Sequence, residues 1–468
     1  MASSGLQTLR RLAEIINQSL DTMERGYARA GIPVPSLDVP FDPAETACHD
    51  VEVATARLNI MAATAQMFAS VCSPTETIWN ASQVFHISSG VRVASELNVA
   101  EILREAGPQG LHVKYIAAPS KVDPTLLARI LRLLATHHIF REVTPDVFAN
   151  NRISSALDKA KPSADLFANR EDRLQGTSGV AAVVELYADE VFKSSAVLAE
   201  TLLDPKEGVL PYNKAFGTDE PLFYNWMQRP ENAYRRQRFG IGMQGTDVGE
   251  APGAIFAGFD WGALPAGSVL VDVGSGTGHI SMQIAQKHTT LRVVNQDLED
   301  TIEDARRLWK DQFPSHIETN MVDFQVHNFL DSQPVKNAAV FLVRHVVHNW
   351  PDDSAVKILQ NLREAAQPST RLVIMEMVPD VAARSSSVTN TTPASAARPR
   401  APEPLLPNWG VGSPLPYYID MAAHALMGGG ERTLGHWIEI LTRSNWKLDR
   451  LHYVGSPMFH IVASPTSV

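Results

Sequence analysis

The stretch Ser268–His288, SVLVDVGSGTGHISMQIAQKH, decides the fold. Val269 to Val273 is a short apolar, β-branched run, Gly274, Gly276 and Gly278 crowd the next five positions, and Ile280, Ile284 and Ala285 then fall at helical spacing. The order strand, glycine loop, helix predicts a Rossmann-like unit. Its glycines let a ligand approach the backbone, and the helix N-terminus beyond them attracts a carboxylate or phosphate. Two details narrow the ligand. A dinucleotide fingerprint reads G-x-G-x-x-G, whereas here the third glycine comes one residue early and His279 stands where it would fall. Asp272, just before the loop, would repel a pyrophosphate and suits an ammonium group. Asp297 ends a second strand-like run, LRVVNQDLED, where an acid accepts hydrogen bonds from ribose hydroxyls. An amino-acid nucleoside fits this pattern better than NAD. A Rossmann-like loop with a chance acid is the competing reading, because glycine loops alone are weak evidence.

Composition frames that unit. A chain of 468 residues with 44% hydrophobic content can bury a large core, and its length predicts two or three domains. Lys plus Arg total 41 against 51 for Asp plus Glu, a net charge of -10, which argues against nucleic acid as a partner. Cys48 and Cys72 form no CxxC pair, so no disulfide framework or structural zinc is expected and a reducing compartment is the simplest reading. Near the N-terminus, Leu9, Leu12, Ile15 and Ile16 fall at helical spacing without a continuous apolar core. The expectation is an amphipathic helix in the cytoplasm, with no membrane contact.

Between residues 78 and 152 the pattern runs through helices, a short strand, a helix, a turn at Asp123 and Pro124, a second helix and a hairpin, the order of a winged helix-turn-helix. Arg129 and Arg132 on the second helix raise a DNA-binding reading. Leu126, Leu127, Ile130, Leu131, Leu133 and Leu134 leave that helix little polar face, so packing against another chain, and a homodimer, is preferred. Downstream, residues 209–243 are helical and dense in aromatics, either a core helix pair or the wall of a pocket for a flat ligand.

The run Phe341–Asp353, FLVRHVVHNWPDD, sets an apolar strand against His348. In an extended run Arg344, Val346 and His348 share one face, which puts His348 at the carboxyl edge of the sheet, where ligands bind in such folds. A histidine there suits a general base, since it titrates near neutrality. The competing reading is a capping or core histidine. His345 is expected on the opposite face in a structural role, and a His345–His348 metal pair is rejected because no carboxylate at ligand spacing completes it.

Taken in order, LVDVGSGTG, NQDLED, VRHVVHNWPDD, VIMEMVPD and GGGERT resemble the S-adenosylmethionine-dependent O-methyltransferases of plants and fungi that act on phenols such as caffeic acid and flavonoids. The likeness covers residues 85 to 463. It implies an α/β Rossmann-like methyltransferase domain (176–468) behind an N-terminal, mainly helical winged-helix dimerisation domain (1–175), and a phenol as substrate. By resemblance His348 matches the catalytic base, and Glu376 and Glu431 flank it. The cofactor, S-adenosyl-L-methionine, would be held by Asp272, Gly274, Gly276 and Asp297, with Asn328, Phe329 and Arg344 as further contacts. The family's usual aspartates are replaced at Asn349 and Asn328. Phe239 and Met243 match substrate-pocket positions, and Met427 lies close to the other pocket segment, where the run before Gly428 is one residue shorter than in plant members. Folds of this kind also use the cofactor without methyl transfer, for pericyclic or dehydration steps, and that is the alternative function. Residues 381–407, rich in Ser, Thr, Ala and Pro, are expected to form a disordered insert.

Overall fold

The computed structural model describes residues 4–42, 50–246, 253–384, 399–454 and 458–466. The chain divides into two units, residues 1–57 with 64–249 and residues 58–63 with 250–468. The expected boundary at 175 thus falls inside the first unit. Its position follows from packing: the helices Val180–Leu186 and Ala233–Gly245 pair with each other, and the first also meets the helix Phe85–Glu96. Buried ion pairs knit this unit together. Arg173 Nη1 donates to Glu185 Oε1 at 2.6 Å, Ser95 Oγ donates to the same oxygen at 2.7 Å, and Lys159 Nζ lies 3.2 Å from Glu101 Oε1.

The first unit begins with the predicted amphipathic helix, Ser4–Ala30, which buries Leu12 and Ile15. The expected winged-helix order is present: β1 (Leu111–His112), the helices Val113–Ala117 and Pro124–Thr136, and the hairpin of β2 (Arg141–Thr144) and β3 (Val147–Ala149). Asp123 caps the second helix, its Oδ1 accepting from the Thr125 amide at 2.8 Å. That helix differs from expectation in its surface. Leu127, Leu131 and Leu134 are buried in the unit's own core, so of its leucines only Leu126 is exposed. Arg132 is paired with Glu142 and Asp146 at 2.7 and 2.8 Å, which leaves little free positive charge for a phosphate backbone.

The second unit is built on seven strands in the order β6-β5-β4-β7-β8-β10-β9. They are β4 (Val269–Val273), β5 (Arg292–Asp297), β6 (Val322–Val326), β7 (Ala338–Arg344), β8 (Arg371–Met377), β9 (Trp446–Tyr453) and β10 (Met458–Pro465). The pairings from β6 through β8 are parallel, and β10 runs antiparallel to both of its neighbours. Central strands such as β7 read as continuous apolar runs because helices cover both faces. Strand order reverses between β4 and β7, which opens a crevice at their carboxyl ends. Of the expected disordered insert, residues 385–398 lie outside the described residues. Its flanks are packed: Ala401 and Leu405 are buried, and Arg384 Nη2 donates to both of their carbonyls at 3.3 and 2.6 Å. Apolar anchors after Pro399 thus overrule the composition there. No helix among the described residues is long and apolar enough to cross a membrane.

Candidate active site

The crevice collects four loops, each leaving the carboxyl end of a parallel strand. After β4, Gly274 takes φ +68°, and a Cβ there would lie 2.7 Å from Val346 and 3.5 Å from the Phe329 ring. Only a glycine brings the chain this close to the loop after β7. The Gly276 amide donates to Asp297 Oδ2 at 2.8 Å and the Leu298 amide to Asp297 Oδ1 at 2.8 Å, so the end of β5 and the glycine loop are fastened together. The Thr301 side chain also hydrogen-bonds this carboxylate, which has acceptor capacity left for a ribose hydroxyl. Burial pushes the Asp297 carboxyl up.

Asp272 is buried, and its Oδ2 has no hydrogen-bond partner among the described residues. Burial raises its carboxyl to about 6, against the Ser281 hydroxyl and the charges of His279 and Arg344, which favour ionisation. A buried acceptor without a donor is costly, and an ammonium group supplies the donor. The residues therefore fit an amino-acid nucleoside. Phe329 stands beside the loop, its ring edge-on to Trp350 at 5.6 Å. Asn328 is exposed, and its Oδ1 accepts from the Leu330 amide at 3.1 Å. The amide oxygen of Asn328, expected as a cofactor contact, thus already holds a turn and offers only its second lone pair.

The histidine loop departs from the sequence expectation. β7 stops at Arg344, His345 turns left-handed at φ 52°, and Val347–Asn349 is a 3-10 turn, so His348 does not lie on the strand. His345 is not on an opposite face. The reversal brings the two imidazoles to 5.4 Å between centroids. The turn is held by Glu376 at the end of β8, whose Oε1 accepts from the amides of Val346, Val347 and His348 at 3.1, 3.0 and 3.3 Å. His348 Nδ1 is 2.7 Å from Glu431 Oε1. Glu431 is 1% exposed at the side chain and is the ring partner. Glu376 Oε2 stands 3.7 Å from His348 Nδ1 and 3.8 Å from His345 Nδ1. A carboxylate therefore does complete a His345–His348–Glu376 cluster, and the ground for rejecting a metal there was wrong: Glu376 is remote in sequence and adjacent in space.

Charge balance in this pocket is tight. Burial opposes a charge on His348, but Glu376 and then Glu431 overcome it and lift the imidazole to about 9. Burial raises Glu376 to about 7, with the His348 charge opposing and Glu431 adding to the rise. His345 goes the other way, held well below its ordinary range by burial and then by Arg344 and His348.

Sequence reading missed Arg432. It is buried, with Nη1 donating to the Val347 carbonyl at 3.0 Å, Nη2 to the Trp350 carbonyl at 2.7 Å, and Nε and Nη2 to Asp352 Oδ1 at 3.1 and 2.9 Å. The Gly430 amide donates to the His348 carbonyl at 2.7 Å, and a Cβ on Gly429 would collide with that same oxygen. Its one signal was a guanidinium beside Glu431 in GGGERT. Among the substrate candidates, Met427 ends the helix Leu415–Met427 in the second unit. Phe239 and Met243 lie on the helix Ala233–Gly245 of the first unit, where Phe239 is edge-on to Tyr224 at 6.1 Å.

Comparison with known proteins agrees with this geometry. The family model of the O-methyltransferase domain matches residues 196–396, and that of the O-methyltransferase dimerisation domain matches residues 79–159. The chain is 37% identical over 456 residues to a 4-O-methyltransferase 1 of Phanerochaete chrysosporium, 95% of each chain. It is 38% identical over 474 residues to an O-methyltransferase of Armillaria gallica, 98% of this chain and 99% of the relative. In fold it is similar to a solved structure described as a pericyclic reaction enzyme, with a TM-score of 0.65 at 20% identity over 88% of this chain and 94% of that one. The two fungal relatives, alike along nearly their whole length, and the domain match settle the family: the chain belongs to the S-adenosylmethionine-dependent O-methyltransferases.

Proposed function

We propose that this enzyme methylates a phenolic hydroxyl of a small aromatic natural product, with His348 as general base. The observation that carries the reading is the 2.7 Å bond between His348 Nδ1 and buried Glu431, which commits the Nδ1 proton to the carboxylate and leaves Nε2 as the acceptor. A phenol, with a pKa near ~10, is a poor nucleophile until that acceptor takes its proton. A base raised to about 9 is nearly matched to it. As the imidazolium forms, Glu431 and Glu376 stabilise the charge, while three amides on Glu376 keep the turn from moving.

S-adenosylmethionine supplies an electrophilic methyl group on a sulfonium. Asp272 would take its ammonium, Asp297 its ribose, and Gly274 and Gly276 would let it lie against the backbone. Phe329 would cover the base, with Arg344 and Asn328 at the rim. Phe239, Met243 and Met427 are the proposed substrate contacts, where thioethers and rings suit a planar aromatic. The dimerisation-domain match and the exposed Ile78, Trp79, Val84 and Phe85 support a homodimer. The pericyclic alternative has only the shared fold behind it.

The test is transfer of labelled methyl from S-adenosylmethionine to a panel of catechols, flavonoids and resorcylate-type phenols by wild type and His348→Ala. Wild type is expected to transfer, and the variant to lose on the order of a hundredfold or more with cofactor affinity retained. Equal rates would make His348 structural. Substrate turnover without S-adenosylhomocysteine would move the pericyclic reading to the front.

A further inference from the structure

His345 has no task in the mechanism above, yet its backbone is held left-handed at φ 52° and tied on both sides. Its amide donates to the Met375 carbonyl at 3.2 Å, and its own carbonyl accepts from Asn349 Nδ2 at 3.2 Å. Histidine is among the few side chains other than glycine that take this conformation, and the two hydrogen bonds fix it there. The result is a second imidazole beside Glu376, one of the two carboxylates that serve the base. We propose that His345, His348, Glu376 and Glu431 form a binding site for a zinc-like divalent transition metal, and that a metal bound there switches the base off.

Donor atoms of His345, His348 and Glu376 lie within 4.8 Å of one another. Two of the spacings are 3.7 and 3.8 Å, and Glu431 Oε1 is 2.7 Å from the His348 nitrogen. Zinc bonds of ~2.0–2.2 Å require donors roughly 3.3 Å apart, so small side-chain shifts close the site. Two imidazoles and two carboxylates are a donor set that zinc accepts. The independent pointer to a cation is on the oxygens. Glu376 Oε2 and Glu431 Oε2 are both buried, on residues 0% and 1% exposed at the side chain, and neither has a hydrogen-bond partner among the described residues. Buried carboxylate oxygens normally have one.

Occupation has a defined chemical consequence. Zinc takes the Nδ1 lone pair of His348 and sends that proton to solvent. The neutral imidazole then carries its remaining hydrogen on Nε2, which becomes a donor and no longer accepts the phenol proton. The metal is thus an inhibitor here, and methyl transfer runs without it. The inhibitory half of the proposal rests on His348 being the base; the binding half does not.

The experiment uses chelator-treated full-length protein and Zn2+ alone. Affinity is read by competition with a chromogenic chelator, and methyl transfer is followed with and without Zn2+ and after EDTA. Asparagine tolerates the left-handed backbone but lacks the imidazole, so His345→Asn is the informative variant, and His345→Gly repeats it should the first fail to fold. Wild type is expected to bind one Zn2+ per chain, to lose transfer on binding and to regain it with EDTA. In the variants zinc affinity should fall by at least about tenfold, inhibition should weaken in parallel, and metal-free transfer should stay within about twofold. Absent binding by wild type, or equal affinity in wild type and variants, overturns the site. If no phenol is methylated by any form, the functional reading fails while the affinity comparison still decides the metal site.

Discussion

His348 is placed by contacts that span 83 residues of sequence, and its acid–base behaviour follows from them. With the imidazole lifted to about 9, only on the order of 1% is neutral at pH 7, and the neutral form is the one that accepts a proton. In chelator-treated enzyme kcat/KM should therefore climb close to tenfold per pH unit from pH 6 and level off near pH 9. Glu431→Gln removes a carboxylate that favours the imidazolium, so the rising limb should move to lower pH. Profiles recorded with phenols of different acidity separate the enzyme's ionisation from the substrate's. A limb that tracks the phenol and ignores the Gln substitution would remove His348 from the rate equation.

At the scale of elements, a turn and a loop are clasped together. The 345–350 turn has no regular hydrogen-bond ladder of its own beyond one 3-10 turn, so Arg432 and Glu376 supply its partners from other elements. Asp352 anchors the guanidinium from the start of the helix Asp352–Ala365, and His436 Nε2 holds the other oxygen of Asp352 at 2.7 Å. Arg432→Met should cut kcat by about tenfold or more through a displaced base, with S-adenosylmethionine affinity within about twofold, since the glycine loop is untouched. Arg432→Lys keeps the charge but not the fork, and should recover only part of the loss. Equal losses in cofactor affinity would mean that the clasp supports the whole crevice and not the base alone.

At the scale of the whole molecule, the exposed apolar side chains of the first unit predict assembly. Ile78 and Trp79 are 73% and 66% exposed, with Phe68, Val71, Val84 and Phe85 also open to solvent. A stable pair of chains buries about 800 Å² on each partner, which a surface of this kind can furnish. Ile78→Asp combined with Trp79→Asp should convert a dimer into a monomer in sedimentation velocity without loss of helical circular dichroism, because neither side chain is part of the core. Dimer mass unchanged by both substitutions would place the interface elsewhere.

The glycine loop and the strand before it were legible because their signal is local: β-branched residues, three glycines and a helical period within twenty positions. The winged-helix order and the cap at Asp123 were legible for the same reason. His348 reads in sequence as the end of an apolar strand, which the left-handed turn at His345 corrects, while Glu376 and Glu431 came from motif order alone; tertiary structure set one carboxylate on the ring and one on three amides. Strand pairing alone brings β8 beside β7, so no spacing in the sequence places Glu376 next to His345. The unit boundary and the packed flank after Pro399 were decided by burial of Leu405 and of the helix pair after Gly179, where packing outweighs local composition. Arg432 went unread because a buried guanidinium and a solvated one look alike until the carbonyls that face it are in place.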